Sequence, residues 1–162
     1  AQVLGQDEFR GFALGLVEER LVEQTNKELE HLCEGRYQIT LLENKKQSQD
    51  FLVVDHWRGG GERKVSTLSG GETFLVSLAM ALSLAELTRG QTEVDAFFID
   101  EGFGTLDRDS IDDVLEVLSS VQSRGKQIGL ISHVKALTDR IPVNLHLEKS
   151  TLGDSKIRVI YN

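Results

Sequence analysis

The run Ala96-Phe97-Phe98-Ile99 constrains the fold more than any other stretch, because a short strand that is apolar at every position wants cover on both faces. Helical patterns lie on either side of it, at Gly70 to about Thr88 and near Ser110 to Ser123, and a second apolar strand follows at Gln127 to Ile131. Buried strand, helix, buried strand is the pattern of parallel strands joined by a crossover helix. The expected class is therefore α/β, a mostly parallel sheet flanked by helices. With 162 residues the chain is long enough for one domain with a sizeable core.

The strand ends in Asp100-Glu101, so two carboxylates stand at the carboxyl end of a buried strand, where parallel α/β sheets bind ligands. Phosphoryl transfer needs one carboxylate for Mg²⁺ and a group that positions or deprotonates water. A helix-capping acid pair would read the same way. Upstream, Thr67-Leu68-Ser69-Gly70-Gly71-Glu72 places a hydroxyl and two glycines at the start of the Gly70 helix, where free N–H groups and the helix dipole favour a phosphate. Ser69-x-x-Glu72 is also a capping box, and the two roles are compatible. His133, after the second buried strand, would emerge on the same sheet edge as Asp100, though a structural histidine is as good a reading. No G-x-x-x-x-G-K-[ST] loop occurs in the chain; Gly125-Lys126 comes nearest, but Gln127 lacks the hydroxyl and Ser120 stands where the first glycine should be. The motifs make half of an ATPase, and the other half must come from elsewhere. A serine hydrolase built on Ser69, His133 and Asp107 fails for want of a G-x-S-x-G elbow.

Residues 7 to 34 read as a long amphipathic helix with Gly35 as its C-terminal cap, either a core-packing helix or the end of a coiled coil. Arg36 to Glu43 and Phe51 to Trp57 alternate as a β-hairpin or meander, and Arg58 to Ser66, with three glycines, Arg63 and Lys64, reads as a loop, a solvated connection in preference to a basic loop touching nucleotide or DNA. Past Pro142 a second hairpin is expected to close the sheet edge. The net charge of −8 argues against a general nucleic-acid-binding surface, so any DNA contact is local or made by a partner. Eight acidic residues between Glu93 and Asp113 face the single basic Arg108. Lone Cys33 offers no intramolecular disulfide, and His31-x-Cys33 is too sparse for zinc. His56 and His146 read as structural. The longest apolar helix, Phe74 to Leu87, reads as too short for a bilayer, and no signal peptide is expected.

Leu68-Ser69-Gly70-Gly71-Glu72, Asp100-Glu101, Gly104-Thr105-Leu106-Asp107 and Ile131-Ser132-His133 stand in the order and spacing of the ABC-ATPase signature, Walker B motif, D-loop and switch histidine. With Gly35-Arg36-Tyr37, Ser66 to Leu78 and Asp100-Glu101-Gly102-Phe103-Gly104, residues 9 to 148 or so closely resemble the SbcC family, bacterial SMC-like ATPases of DNA double-strand-break repair. The resemblance implies that residues 1–34 are the helix at the end of a coiled coil and 35–162 the C-terminal lobe of an ABC-type head, completed by an N-terminal P-loop lobe of the same protein. It implies ATP with Mg²⁺ or Mn²⁺ as cofactors, Asp100 holding the metal through water, Glu101 as general base and His133 at the γ-phosphate. Ser69 and Gly71, in the signature with Gly70 and Glu72, would meet the ATP of a second copy of the head, and Asp107 would act across the same interface. Implied partners are the SbcD nuclease, near residues 7 to 34, and double-stranded DNA, with no membrane and a cytoplasmic, nucleoid-associated location. A chromosome-organising SMC or RecN-like head is the nearest rival. A transporter cassette is disfavoured by Gly102-Phe103 and by the helix at Phe9 to Leu32, and a noncatalytic dimerisation module by Glu101 and His133.

Overall fold

A computed structural model describes residues 5–42, 50–88, 95–104, 106–149 and 153–162. Helix α1 runs over Gln6–Cys33 and ends where Glu34 and Gly35 both take positive φ (51° and 70°), a left-handed stop that glycine makes cheap at the second position. The strands β1 (Tyr37–Leu42), β2 (Asp50–Asp55) and β3 (Glu62–Lys64) then form an antiparallel sheet in that order. The expected hairpin is present, with its connection outside the described residues. The expected solvated connection is not: Glu62–Lys64 pairs with β2, Val53 opposite Arg63, and a 3₁₀ turn at Val65–Thr67 leads to the next helix. The triple glycine hid a third strand because composition alone cannot register a three-residue pairing.

Helix α2 (Gly70–Leu87) buries Val76, Leu78, Ala79 and Leu82 against α1 and α3 (Arg108–Ser123). Its 18 residues are in fact long and apolar enough to cross a membrane by length and composition. The chain instead uses it as a core helix, the same apolar requirement being met by neighbouring helices. Strands β4 (Ala96–Asp100) and β5 (Gln127–Ile131) pair in parallel, joined by α3 as the alternation of elements requires. A short α4 (Lys135–Thr138), not anticipated from the sequence, precedes β6 (Val143–Lys149) and β7 (Ser155–Tyr161). Among the described strands, β6 and β7 pair only with each other, so the last hairpin does not close the β4–β5 edge.

The core lies between α1, α2, α3 and the inner face of the first sheet, around Leu29, Ile39, Val53, Val76, Phe103 and Val114. Asn26 fastens α1 to β1 as a strand would: its Nδ2 donates to Ile39 O at 3.0 Å and its Oδ1 accepts from Ile39 N at 2.8 Å. On β4–β5 only one face is covered. Phe97, Ile99, Ile128 and Leu130 pack on the core, while Phe98 is 77% exposed and Ile131 is exposed beside it. The hairpin β6–β7 leaves Leu145, Leu147, Ile157 and Val159 exposed as well. The strand that asked for cover on two faces receives it on one, because the described chain has no second layer to supply the other.

Candidate active site

Asp100 is the last residue of β4 and lies opposite Ile131, the last of β5, so the two strands end level. Glu101 N donates to Ile131 O at 2.9 Å, which extends the pairing by one residue. There the backbone turns: Glu101 has φ of 61° and Gly102 φ of 93°. A left-handed glutamate costs of order 1–2 kcal/mol, and such strain survives only where the surroundings impose it. The turn brings the carboxylate to His133, two residues beyond β5, whose Nδ1 lies 3.1 Å from both Glu101 oxygens. With the proton on Nδ1, the histidine donates to the carboxylate and leaves Nε2 directed elsewhere. Both side chains are open to solvent, at 51% and 77% exposed. The turn is anchored by Phe103, 1% exposed, whose ring centroid sits 5.2 Å from that of Phe74 on α2.

Ser69 to Glu72, which the resemblance reads as the signature, sit at the start of α2 in a complete capping box. Ser69 N donates to Glu72 Oε2 at 2.8 Å, and Glu72 N donates to Ser69 Oγ at 3.3 Å. Gly70 and Gly71 are the next two residues of the first turn, whose N–H groups the helix itself cannot satisfy. A Cβ at Gly71 would stand 3.1 Å from Ser110 Oγ, so glycine lets the N-terminus of α2 approach that of α3. Asp107 caps α3, accepting from Ser110 N at 2.8 Å, and the hydrogen bonds from Ser110 hold its carboxyl below the ordinary aspartate range. Thr105 of the D-loop lies outside the described residues. A concavity of about 130 Å³ is lined in part by Ser69, Gly71, Arg36, Arg58 and Ser110.

The structure thus brings Asp100, Glu101 and His133 to one sheet end, and Ser69, Gly70, Gly71, Glu72 and Asp107 to two adjoining helix N-termini. Among the described residues no hydrogen bond or ion pair joins the two groups. Sequence reasoning missed the residues behind the signature. Tyr37 OH donates to Glu72 Oε1 at 3.3 Å, Arg63 Nη2 donates to the same oxygen at 3.3 Å, and Asp55, 2% exposed, accepts from Arg36. Arg36–Tyr37 stood out only as part of the family resemblance, and Arg63 lay in the presumed connection.

The family described as SbcC/RAD50-like, Walker B motif, matches residues 43–120. The SbcC component of the SbcCD nuclease of Deinococcus radiodurans is 38% identical over 153 residues, 94% of this chain and 16% of that protein. The SbcC component from Pseudomonas aeruginosa is 38% identical over 154 residues, 95% of this chain and 12% of its own length. The chain belongs to the SbcC-like family. It spans only that small share of its relatives' length. The fold is that of an SMC ATPase head: the SMC head domain from Thermotoga maritima superposes with a TM-score of 0.62 at 22% identity, over 94% of this chain and 52% of that one. A chain from work on ATP-driven dimerization and DNA-stimulated activation of SMC ATPases gives a TM-score of 0.67 at 16% identity, over 93% and 89%.

The His56 ring contacts Gln38 Oε1 at 3.1 Å and His146 lies on exposed β6, so neither joins the site. Cys33 closes α1; its thiol donates to Leu29 O at 3.2 Å, and burial pushes it up to about 11. Among the described residues no three His, Cys, Asp or Glu side chains are grouped to hold a metal. Asp100 alone fits Mg²⁺ only as Mg²⁺ is often held, by one or two carboxylates with water and substrate phosphates supplying the rest.

Proposed function

We propose that the chain is the C-terminal half of an SbcC-type ATPase head, and that ATP hydrolysis requires a P-loop lobe of the same protein together with a second head. The observation that carries this reading is the Glu101–His133 pair, held at 3.1 Å by a strained turn at the carboxyl end of β4–β5. A carboxylate in that place is suited to take a proton from water, and the imidazole steadies it while presenting its other nitrogen to a phosphate. Asp100 would hold Mg²⁺ through water, and the ion would offset charge on the phosphates. Ser69 and the Gly70 and Gly71 amides would close on the γ-phosphate of nucleotide carried by the opposing head, with Asp107 meeting the same interface. The uncovered face of β4–β5, with Phe98 and Ile131, supports a docked lobe, since a lone layer of this composition wants an apolar partner.

On this reading ATP closes two heads and hydrolysis releases them, and the cycle governs access of a partner nuclease of the SbcD type to ends of double-stranded DNA. The exposed Phe9, Phe12, Leu14, Leu16 and Val17 on the first half of α1 suit contact with that nuclease near the base of a coiled coil. Glu101→Gln in the full-length protein tests the assignment, because it keeps the shape and removes the base. The expected result is an ATP-dependent head dimer that persists while turnover falls by about 10²- to 10⁴-fold. No ATP-dependent dimer, or turnover at the unsubstituted rate, would overturn the reading.

A further inference from the structure

A capping box needs one carboxylate oxygen, and here Glu72 uses only Oε2 on Ser69 N. Its other oxygen is gripped from the three-stranded sheet, by Tyr37 OH from β1 and Arg63 Nη2 from β3, each at 3.3 Å. Neither grip is needed to start a helix. Arg63 makes it at some cost, because its Nε is buried with no partner among the described residues while Nη2 alone reaches Glu72 and, at 3.8 Å, Asp55. Ser69 is therefore backed by two residues of the neighbouring sheet, of which Tyr37 also lines the concavity beside Ser69 and Gly71.

We propose that Tyr37 and Arg63 are positioning residues for the signature: through the spare oxygen of Glu72 they fix the direction of Ser69 and the first turn of α2 toward an opposing nucleotide. The grip extends to α1. Tyr37 stands four residues past the end of that helix, and Asn26 of α1 is bonded to β1 at Ile39. A tilt of α1 thus moves β1, and through Tyr37 the cap. Asp55, paired with Arg36 and Arg58 as well, faces the same Nη2 of Arg63 at 3.8 Å and so helps to keep it beside Glu72. The positioning role rests on the proposed contact of Ser69 with nucleotide across the head interface, but the grip on Ser69 can be read without it.

The test uses full-length protein carrying Tyr37→Phe, Arg63→Met or Arg63→Lys. Without nucleotide, exchange of the Ser69 amide is expected to rise about tenfold in the first two variants, with the start of α3 at Ser110 and Ile111 unchanged. With ATP, head dimerisation should weaken about threefold to tenfold in Tyr37→Phe and more in Arg63→Met, with Arg63→Lys recovering part of the loss. ATP affinity of the single head should hold in all three, while the unfolding midpoint should hold in Tyr37→Phe and Arg63→Lys and fall modestly in Arg63→Met, which also leaves Asp55 and Glu72 short of a cation. Unchanged Ser69 exchange overturns the proposal, as does a loss of dimerisation that merely follows a fall in midpoint and single-head ATP affinity. If the unsubstituted protein shows no ATP-dependent dimer at all, the proposed function fails, and the exchange arm still decides whether Tyr37 and Arg63 hold the cap.

Discussion

The two ends of the candidate site are built in opposite ways. At the signature, Glu72 is 8% exposed, and among the described residues Ser69 is held through Glu72 by contacts from β1, β3 and α2. At the end of β4, Glu101 and His133 stand in solvent with chiefly each other for support, above a sheet whose outer face is bare. A finished surface needs only something to meet; an open one needs something to complete it. On the proposed function, one chain carries a ready-made contact for another molecule's ligand and half of a pocket for its own. This asymmetry is what a site shared between lobes and between copies demands, and substitutions on either side of it can break or sharpen the contrast.

The largest effect is expected at the seam. Phe103 is buried against Phe74 just after the strained turn, and Phe103→Ala should cost about 3–5 kcal/mol in denaturant unfolding of this chain. A cost near zero would mean that the turn is not tied to the core. In the open half, His133→Ala leaves folding untouched because the side chain is exposed, and should lower turnover of the full-length protein about 10²-fold. A matching loss of stability would make the histidine structural and remove the contrast.

The closed half should announce itself in acid. Burial raises the carboxyls of Asp55 and Glu72, but this is outweighed by Arg36 and the Trp57 amide at Asp55, and by the Ser69 amide and Arg63 at Glu72, so both titrate below their ordinary values. A carboxyl depressed on folding stabilises the native state fully above its unfolded value, about pH 4, and the contribution drains as pH falls through the folded values. Urea midpoints should therefore hold from about pH 7 to 5 and drop below about pH 4, with Asp55→Asn lowering the midpoint at neutral pH and flattening the drop. The smallest effect belongs to Gly129→Ala. Its Cβ would meet the Phe98 ring at 2.6 Å, but that ring is exposed and free to swing, so the isolated chain should lose less than about 1 kcal/mol. With a lobe docked on this face the ring has nowhere to go, and the same change should weaken docking severalfold.

Much of this was legible in the chain. The apolar runs gave β4 and β5 their parallel pairing, Ser69-x-x-Glu72 forms the capping box, and Asp100, Glu101 and His133 share a sheet end because strands crossing in the same direction finish on the same side. What escaped depends on pairing at a distance. Nothing local marks Glu62–Lys64 as a strand, since its partners lie eight or more residues back on β2, and Arg63 looked like a solvated charge for the same reason. The bare face of β4 could not be foreseen either: the sequence records that Phe98 wants cover, and only the fold reveals that this chain does not provide it.

The central claim is that the chain holds half of an ATPase. It is tested most directly by Mg²⁺-ATP turnover and molecular mass of the chain alone and mixed with the P-loop lobe of the same protein. The account predicts no turnover and no ATP-dependent change in mass for the chain alone, and both once the lobe is added. Turnover by the isolated chain would contradict it, and would place a complete phosphate site within these 162 residues.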